Sequence, residues 1–526
     1  MVLLVSSIVL FLAIFAIKVS DKSGIPSLLL FIVLGMVFNV MGIQFDDYIF
    51  ADKFVTVALM IIMFQGGFST NWKMAKPVAA PAIIYSSLGV FMTAIITGIF
   101  CHYVLKMPLY EGMLLGSIVG STDYSSVSGI LRSKNLNLKY NTAPLLELES
   151  GSNDPFAYTM TMIFLSILLG EKTNILLMIV QQVGLGVIFG FLFAYIFYYL
   201  IEKTNMSHDG LFIIYIVASS LLVYSFTAFL GGNGFLAVYI YGIYIGNKSY
   251  KGKRETVFFY EGLADLMQIG MFFMLGILSD WSEFLRTLPF AFTVMMFMFI
   301  VARPLSIYVL GAPFKLKNNQ KLIISLAGLR GAAAIAFAVM SVNSGVQVSG
   351  EIYNTVFGIC VMSLIIQGSL MPSASRKLDM LDPTDTVLKT FNDYQDKSEI
   401  GFLQTKIFED SRWVGKKVKD LNLAFNVIVA KIGRMGKSIV PKGETEILEG
   451  DIIVLGGESY FDPTGKGLVE FTVSESHPFY DKKVRDLDLD DKHLIVMIQR
   501  ASGDIIVPQG DTLIERGDVL VTMNEE

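Results

Sequence analysis

Five charged side chains stand inside otherwise apolar stretches of this sequence, where a hydrocarbon environment penalises each of them. Charges at such positions are costly unless they are paired or hydrated, and they mark ion pathways and proton relays. Burial disfavours the charged form of a carboxylic acid, so a partly dry carboxyl group can hold either a proton or a stripped cation near neutral pH. That competition is the minimal chemistry of an exchanger. The five residues are Asp123, Glu147, Glu149, Asp154 and Arg330.

Asp154 is the strongest candidate for an exchanging carboxylate. It lies in the stretch LLELESGSNDP, residues 145–155, and in a helix it shares one face with Ser150. Pro155 removes a backbone donor and clashes with the carbonyl of Gly151, which weakens the helix where Asp154 needs partners. The alternative is a structural carboxylate that is held by hydrogen bonds.

The charged and polar residues around this carboxylate have other predicted roles. Asn153 cannot titrate, so Asp154 as the main proton carrier predicts one proton per monovalent cation. Glu149 needs an opposite charge, and Arg330 in the centre of SLAGLRGAAAIAFAV is the candidate partner. Such a buried pair can fix geometry without touching the transported ion. Arg303, near the end of its apolar segment, is expected to reach the membrane interface.

Asp123 lies in LLGSIVGSTDYSSVSGIL, where glycine, serine and threonine crowd both sides of it. This composition is poor for a continuous helix and is typical of broken transporter helices, whose irregular backbone lines a cavity. Gly328 and Gly331 give the flanks of Arg330 the same freedom, although close helix packing explains them equally well. Asp123 could also cap the helix break without touching an ion, and Glu147 is expected to be peripheral.

Composition divides the chain into a membrane part and a soluble part. The sequence has 526 residues, of which 53% are hydrophobic and 17% charged, against about 25% charged in soluble domains. Runs of roughly 17–25 apolar residues, each long enough to cross a bilayer, fill residues 1–376, and a linker is expected over 377–400. The net charge of −5 gives no reason to expect a nucleic-acid partner. Cys101 and Cys360 form no metal or disulfide pattern.

The apolar segments number about 13, and their loops predict an orientation. Lysine and arginine concentrate in alternate loops, with seventeen on one side against four on the other. Because cytoplasmic loops carry the basic excess, we expect a multi-pass cell (inner) membrane protein with its N-terminus outside and its C-terminal region in the cytoplasm. The first segment, VLLVSSIVLFLAIFAI, lacks a basic flank before it and is expected to remain as a span.

The order of several motifs resembles the NhaP-type monovalent cation/proton antiporters of the CPA1 family. The resemblance covers the membrane region, residues 1–376, and it is carried by STDYSSVSGILRSKNLNLKYNTAPLLELESGSNDPFAYTMT together with GGNGFLAVYIYGIYIGN, IVARPLSI and GLRGAAAIAFAV. It implies an α-helical polytopic fold of about 13 helices in two inverted repeats. A dimerisation domain and a core domain would be present, and two broken helices would cross beside the helix of Asp154.

The resemblance also assigns roles to single residues. Asp154 becomes the ion- and proton-binding carboxylate, Asn153 is the amide typical of electroneutral members, and Glu149 pairs with Arg330. Tyr124 departs from the family pattern, in which proline or alanine often follows the aspartate, and this departure could alter access or ion preference. The implied ion- and proton-binding set is Asp154, Asp123, Thr122, Ser150 and Asn153.

The soluble part contains an internal repeat. GKKVKDLNLAFNVIVAKIGRMGKSIVPKGETEILEGDIIVLGG begins at Gly415, and DKKVRDLDLDDKHLIVMIQRASGDIIVPQGDTLIERGDVLVTM begins at Asp481. Such self-similarity indicates two copies of one module, each with a KVxDL helix start, short strands and a PxGxT turn. The repeat resembles the RCK-C or TrkA-C module in tandem, over residues 401–457 and 467–526, and predicts a small α+β domain.

This second resemblance implies a regulatory ligand, with cyclic di-AMP or another nucleotide as the expected class. No GxGxxG nucleotide fold accompanies the repeat. The alternative is that the modules only dimerise and restrain the membrane domain. The candidate ligand-binding residues are Arg434, Ile439, Val440, Pro441, Arg500, Ile506, Val507 and Pro508.

Together these patterns predict a homodimeric K⁺ or Na⁺/proton antiporter that works electroneutrally by alternating access under control of its tail. No enzymatic activity, catalytic residue, resident cofactor or metal beyond the transported cation is expected. A ligand-gated cation channel is the alternative class, but the sequence lacks a filter such as TVGYG. A sodium-selective antiporter with a purely structural, dimerising tail also remains open. A membrane-anchored sensor with a degenerate core is disfavoured because the core motif residues are present.

Overall fold

The computed structural model divides the chain into two compact units, residues 1–385 and 386–526. The first unit is helical and the second is built from strands. The structure describes residues 2–23, 27–43, 45, 47–123, 126–127, 138–172, 174–203, 209–248, 250, 253–346, 352–381, 400–408, 411, 413–421, 423, 427–434, 437–458, 468–475, 477–487, 493–500 and 505–524.

Each of the predicted apolar segments contains a helix, so the predicted helical membrane architecture is confirmed. Seven of the helices are long and apolar enough to span a membrane, and shorter apolar helices lie between them. The helices are α1 Val2–Ser23, α2 Ser27–Val40, α3 Tyr48–Ser69, α4 Trp72–Tyr103, α5 Leu109–Ile118, α6 Thr142–Leu168, α7 Ile175–Lys203, α8 Asp209–Phe229, α9 Gly234–Gly246, α10 Lys253–Leu278, α11 Trp281–Leu310, α12 Asn318–Leu326, α13 Ala332–Asn343 and α14 Ile352–Lys377.

The helices pack most extensively within two groups. We call α1–α3 with α7–α10 the scaffold, and α4–α6 with α11–α14 the core. Apolar side chains alone do not hold helices together in lipid, so close backbone approach has to contribute. In the scaffold, α2 and α10 touch at Gly35 and Gly276, where an added Cβ would overlap backbone atoms of the facing helix. The core carries the polar residues described below.

Helices α4 and α11 each contain a π-helical turn, at Tyr85–Gly89 and Met298–Ala302 respectively. The two helices lie against each other, with the rings of Phe100 and Phe297 stacked at a centroid distance of 3.8 Å. A π turn holds an extra residue and therefore changes which side chains face a neighbouring helix. The second π turn ends directly before Arg303, which fixes the direction of that side chain.

Two breaks in the core meet near its centre. Helix α5 ends at Ile118 and is followed by non-helical backbone, while α12 ends at Leu326 and α13 begins only at Ala332. The backbone N–H of Asp123 donates to the carbonyl of Leu329 over 2.8 Å, which joins the two breaks. The departure from the family pattern at Tyr124 lies outside the described residues.

The second unit contains two antiparallel four-stranded sheets, which confirms the predicted duplication. The strand orders are β1-β4-β2-β3 and β5-β8-β6-β7, and each sheet has its own apolar core. The KVxDL segments form only 3-10 turns, Val418–Asp420 and Val484–Asp486, because bridges at Lys417 and Lys483 hold the preceding backbone extended. The strands are β1 Ile400–Lys406, β2 Ile428–Arg434, β3 Lys437–Ile439, β4 Ile452–Glu458, β5 Leu468–Thr472, β6 His493–Gln499, β7 Ile505–Ile506 and β8 Val519–Asn524.

The arginines predicted to bind a ligand are engaged inside their own modules. Arg434 donates to both carboxylate oxygens of Asp451, each over 2.8 Å, and Asp451 is fully buried. Arg500 repeats the contact with buried Asp518 over 2.6 Å. Hydrogen bonds from Arg434 hold the pKa of Asp451 below its usual range. The described contacts therefore give both arginines a structural role in the turn before the last strand of each module.

We predict that Arg434→Met destabilises the first module by about 1–3 kcal/mol, because a buried carboxylate loses its charged donor. The matched control is Lys419→Met, since its exposed pair with Glu444 contributes about 0–1 kcal/mol. The contribution of Asp451 should be present above an unfolded pKa of about 3.9 and should be lost as the pH falls through its lower folded pKa. Limited proteolysis of the full-length protein against temperature measures both effects. Equal melting of the two variants would contradict the assigned role.

Candidate functional site

Helix α6 carries the polar stretch that the sequence singled out. It runs from Thr142 to Leu168 with Pro155 inside it. Glu149, Asn153 and Asp154 are all buried, as is the intervening serine at position 150. One face of the helix therefore presents several polar side chains to the protein interior, where each has to find a partner.

The backbone after α5 supplies partners for this face. Ser121 donates its hydroxyl to Asp154 Oδ1, and Ser150 donates to the carbonyl oxygen of Thr122 over 2.6 Å. Asn153 Nδ2 donates to Thr122 Oγ1 over 2.5 Å, and the Thr122 N–H donates to Asn153 Oδ1 over 3.3 Å. The structure thus brings together the predicted neighbours and adds Ser121, which sequence reasoning missed.

Asp123 sits where the two breaks cross. Its carboxylate accepts a hydrogen bond from Ser126 Oγ over 2.5 Å, and its backbone is tied to Leu329. Gly331 makes room for it, because a Cβ at that position would lie 2.6 Å from Asp123 Oδ2. The glycine next to Arg330, which packing could have explained, is therefore required by the approach of this aspartate.

The predicted ion pair between Glu149 and Arg330 is wrong. Glu149 forms a two-pronged salt bridge with Arg303, with Nη1–Oε1 and Nη2–Oε2 distances of 3.0 and 3.1 Å. Their side chains are only 1% and 3% exposed, so Arg303 does not reach the membrane interface either. A π turn at Met298–Ala302 directly precedes Arg303. Because a π turn holds an extra residue, Arg303 faces a different direction from the one that a regular helix would predict.

Arg330 has a different structural task. Its Nη1 donates to the carbonyl oxygens of Gly120 and Ser121 over 3.0 and 2.8 Å. These carbonyls follow the C-terminal end of α5, where a cation can donate to them and is favoured by the helix dipole. The backbone N–H of Arg330 donates to Ser363 over 3.2 Å. Arg330 therefore stabilises the break rather than a carboxylate.

The resulting arrangement can bind a small cation or a proton in one place. The carboxylate of Asp154 accepts from the hydroxyl of Ser121, and one helical turn earlier on the same face the hydroxyl of Ser150 meets the carbonyl oxygen of Thr122. Oxygen atoms of these kinds replace water around monovalent cations in membrane proteins. Glu149 is already neutralised by Arg303, whereas Asp154 forms no ion pair with any of the described residues.

Comparisons with known proteins agree with both resemblances. A family model described as "Sodium/hydrogen exchanger, transmembrane" matches residues 7–377, and one described as "TrkA-C domain" matches residues 405–459 and 468–521. The K(+)/H(+) antiporter NhaP2 of Shewanella baltica is 31% identical, over 84% of this chain and 78% of its own. The K(+)/H(+) antiporter NhaP of Alkalimonas amylolytica is 33% identical, over 73% and 68% respectively.

A solved structure shares the fold of the helical unit. The sodium proton antiporter MjNhaP1 of Methanocaldococcus jannaschii superposes with a TM-score of 0.64 at 22% identity, over 71% of this chain and 97% of its own. The architecture inferred from the sequence motifs is thus confirmed at the level of the fold.

We predict that Arg303→Met lowers the free energy of unfolding by about 3–5 kcal/mol, because Glu149 is then left buried without its counter-charge. Adding Glu149→Gln should restore part of that loss. Arg330→Met is the matched control: it also removes a guanidinium, but Glu149→Gln should not rescue it. Denaturant titration in detergent micelles measures the four variants. Rescue of Arg330→Met instead of Arg303→Met would reinstate the pair expected from the sequence.

Proposed function

The chain belongs to the sodium/hydrogen exchanger family, and from this premise we propose that it exchanges a monovalent cation for a proton across the cell membrane. Asp154 is the proposed shared site, with Ser121, Thr122 and Ser150 as further oxygen donors. Asp123 at the crossing of the two breaks is the proposed second carboxylate near the cation. The observation that carries the proposal is the placement of Asp154, a buried acid without an ion pair among the described residues, beside the broken backbone after α5.

A one-to-one, electroneutral exchange fits the charges around this acid. Asn153 donates and accepts hydrogen bonds but cannot carry a proton. Glu149 is engaged on both carboxylate oxygens by the guanidinium of Arg303. Neither residue therefore adds a second exchanging proton to the one carried by Asp154.

Alternating access follows from the cost of an empty site. An ionised, unoccupied Asp154 in the middle of the membrane is expensive, whereas its protonated or cation-bound form is nearly neutral. The core would therefore move against the scaffold only when one of the two ions is bound. This rule couples the two fluxes without any covalent step.

Potassium is the proposed first cation and sodium the second. The two similar proteins described above are named as potassium/proton antiporters, and modules of the tail type usually accompany potassium pathways. We further propose that the N-terminus lies outside and the tail in the cytoplasm, on the strength of the distribution of basic residues between loops. A homodimer is proposed from the family resemblance.

The tail is proposed to bind a cyclic dinucleotide such as cyclic di-AMP and to control the exchange rate. Because Arg434 and Arg500 are used inside their modules, the exposed residues that follow β3 and β7 carry this proposal. Val440 is 81% exposed and Val507 is 78% exposed, and each precedes a proline. The same apolar position is thus presented by both modules.

We predict that Asp154→Asn abolishes exchange, because an amide can neither take up a proton nor neutralise a cation. Proteoliposomes with an imposed pH gradient should show K⁺- or Na⁺-driven proton movement with the wild type and at least 100-fold less with the variant, roughly the effect of losing the one titrating group. Asp379→Asn is the control, since Asp379 forms a surface pair with Lys139 and should leave exchange intact. Exchange that survives in Asp154→Asn would rule out the mechanism, and a voltage-driven flux indifferent to pH would favour a channel.

We predict that cyclic di-AMP changes the exchange rate several-fold and raises the melting temperature of the tail, because a ligand that binds only the folded state stabilises it. The double variant Val440→Asp/Val507→Asp should lose both effects through charge placed in the apolar contact. Glu444→Gln, on an exposed side chain that pairs with Lys417, is the control and should respond normally. An unchanged flux and melting temperature across cyclic dinucleotides would leave the tail with a structural role only.

A further inference from the structure

Asn233 makes a direct contact between the scaffold and the ion-binding helix. It stands immediately before α9 and is fully buried. Its Nδ2 donates to the carbonyl oxygen of Pro155 over 2.7 Å and lies 3.0 Å from Thr159 Oγ1. Its Oδ1 accepts from the backbone N–H of Leu236 over 3.0 Å and so caps α9. Both polar atoms of the Asn233 side chain, which belongs to the scaffold, are therefore hydrogen-bonded, and its amide nitrogen donates to α6 of the core.

These two contacts fall beside the weak point of α6. Pro155 has no N–H, so the carbonyl of Gly151 lacks its helical donor. The Pro155 carbonyl itself also accepts a hydrogen bond from Thr159 Oγ1 over 3.0 Å. Since Pro155 directly follows Asp154, the amide of Asn233 holds the helix one residue beyond the proposed exchanging carboxylate.

Aromatic residues of α9 follow the same side of α6. The ring of Phe235 meets Tyr158 edge-on at a centroid distance of 5.1 Å. Tyr239 lies against Gly151, where an added Cβ would come within 2.7 Å of its hydroxyl oxygen. Helix α9 thus contacts α6 both before and after Asp154, along a face different from the one that meets the broken helix.

We propose that Asn233 is a positioning residue that holds α6 against the scaffold in the conformation described, and that its bonds to Pro155 and Thr159 open during the transport step. This inference rests on the proposed exchange, in which the core moves relative to the scaffold. The described hydrogen bonds of Asn233 go to Pro155, Thr159 and Leu236, and none of them reaches Asp154. Asn233 therefore governs the balance between conformations and the speed of their interconversion, and it acts on the apparent cation affinity only through that balance.

A second contact between scaffold and core can report this balance. Asn343 at the end of α13 donates to Asp52 of α3 over 2.8 Å, and both side chains are accessible to reagents. A pair of cysteines at these two positions should cross-link with a short bifunctional thiol reagent when the protein has the conformation described. Cys101→Ala and Cys360→Ala supply a background without other thiols, since the natural cysteines are these two.

The test compares the rate of cross-linking between Asp52→Cys and Asn343→Cys in the full-length protein, with and without Asn233→Ser. Serine keeps the helix cap but is too short to reach Pro155. We expect cross-linking to slow about 10-fold, which corresponds to about 1.4 kcal/mol and fits the loss of two neutral hydrogen bonds. Thr159→Val keeps the bond from Asn233 to Pro155 and should slow cross-linking about 2- to 3-fold. This variant replaces Asn233→Ser in the test if the serine variant does not fold.

Transport assays on the same variants supply the second readout. A changed maximal exchange rate, with the half-saturating cation concentration displaced by no more than the factor by which cross-linking changes, supports the positioning role. Wild-type cross-linking in folded Asn233→Ser and Thr159→Val would overturn it, and so would a half-saturating concentration displaced by more than that factor. Cross-linking needs no ion gradient, so failure of this inference is distinguishable from failure of the exchange itself, which Asp154→Asn tests.

Discussion

A backbone polar group in a hydrocarbon layer must find its hydrogen-bond partner within the protein, and the site depends on how the broken helices meet that requirement. Arg330 satisfies the carbonyls of Gly120 and Ser121, and Ser150 satisfies the carbonyl of Thr122. Each of these hydrogen bonds places a polar side chain at the centre of the core. The irregular backbone and the polar cluster therefore come from one cause, and neither could be kept without the other.

A related constraint applies to the buried charged groups. A buried carboxylate that is to exchange ions cannot have a permanent counter-ion, whereas a neighbouring carboxylate that should not exchange needs one. In the proposed mechanism the two roles fall on acids five positions apart in one helix: Glu149 is bound to Arg303, and Asp154 meets a neutral hydroxyl from Ser121. Because Arg330 is occupied by backbone carbonyls, it cannot compete for either acid. The two arginines thus have separate tasks that their similar chemistry alone would not reveal.

The sequence could predict those features that depend on composition and local spacing. About thirteen apolar segments, the duplication in the tail and the choice of Asp154 as the key acid follow from residue types, whereas the set of its neighbours was implied by the family resemblance. The partner of Glu149 could not be predicted in this way. A π turn lies directly before Arg303 and changes the direction in which the Arg303 side chain faces, and no pattern in the sequence marks such a turn. The tail arginine Arg434 was assigned to a ligand through the resemblance of the repeat to a regulatory module. The aspartate that binds it, Asp451, lies seventeen residues away, directly before β4, and the repeat pattern does not show this pairing. Contacts between distant elements, rather than the elements themselves, escaped prediction.

The strengths of the polar contacts match the motions that the proposed exchange requires. The Glu149–Arg303 pair joins two helices of the core, α6 and α11, and breaking a buried pair of this kind costs about 3–5 kcal/mol. It would make the core move as one body. The bonds from Asn233 cross between scaffold and core, and neutral hydrogen bonds contribute about 0.5–1.5 kcal/mol each. Contacts that must open in every cycle are thus the weak ones, and contacts that must persist are charged and bidentate. An ion pair at position 233 would hold the two groups more firmly, but it would also add its own cost to the barrier for each turnover.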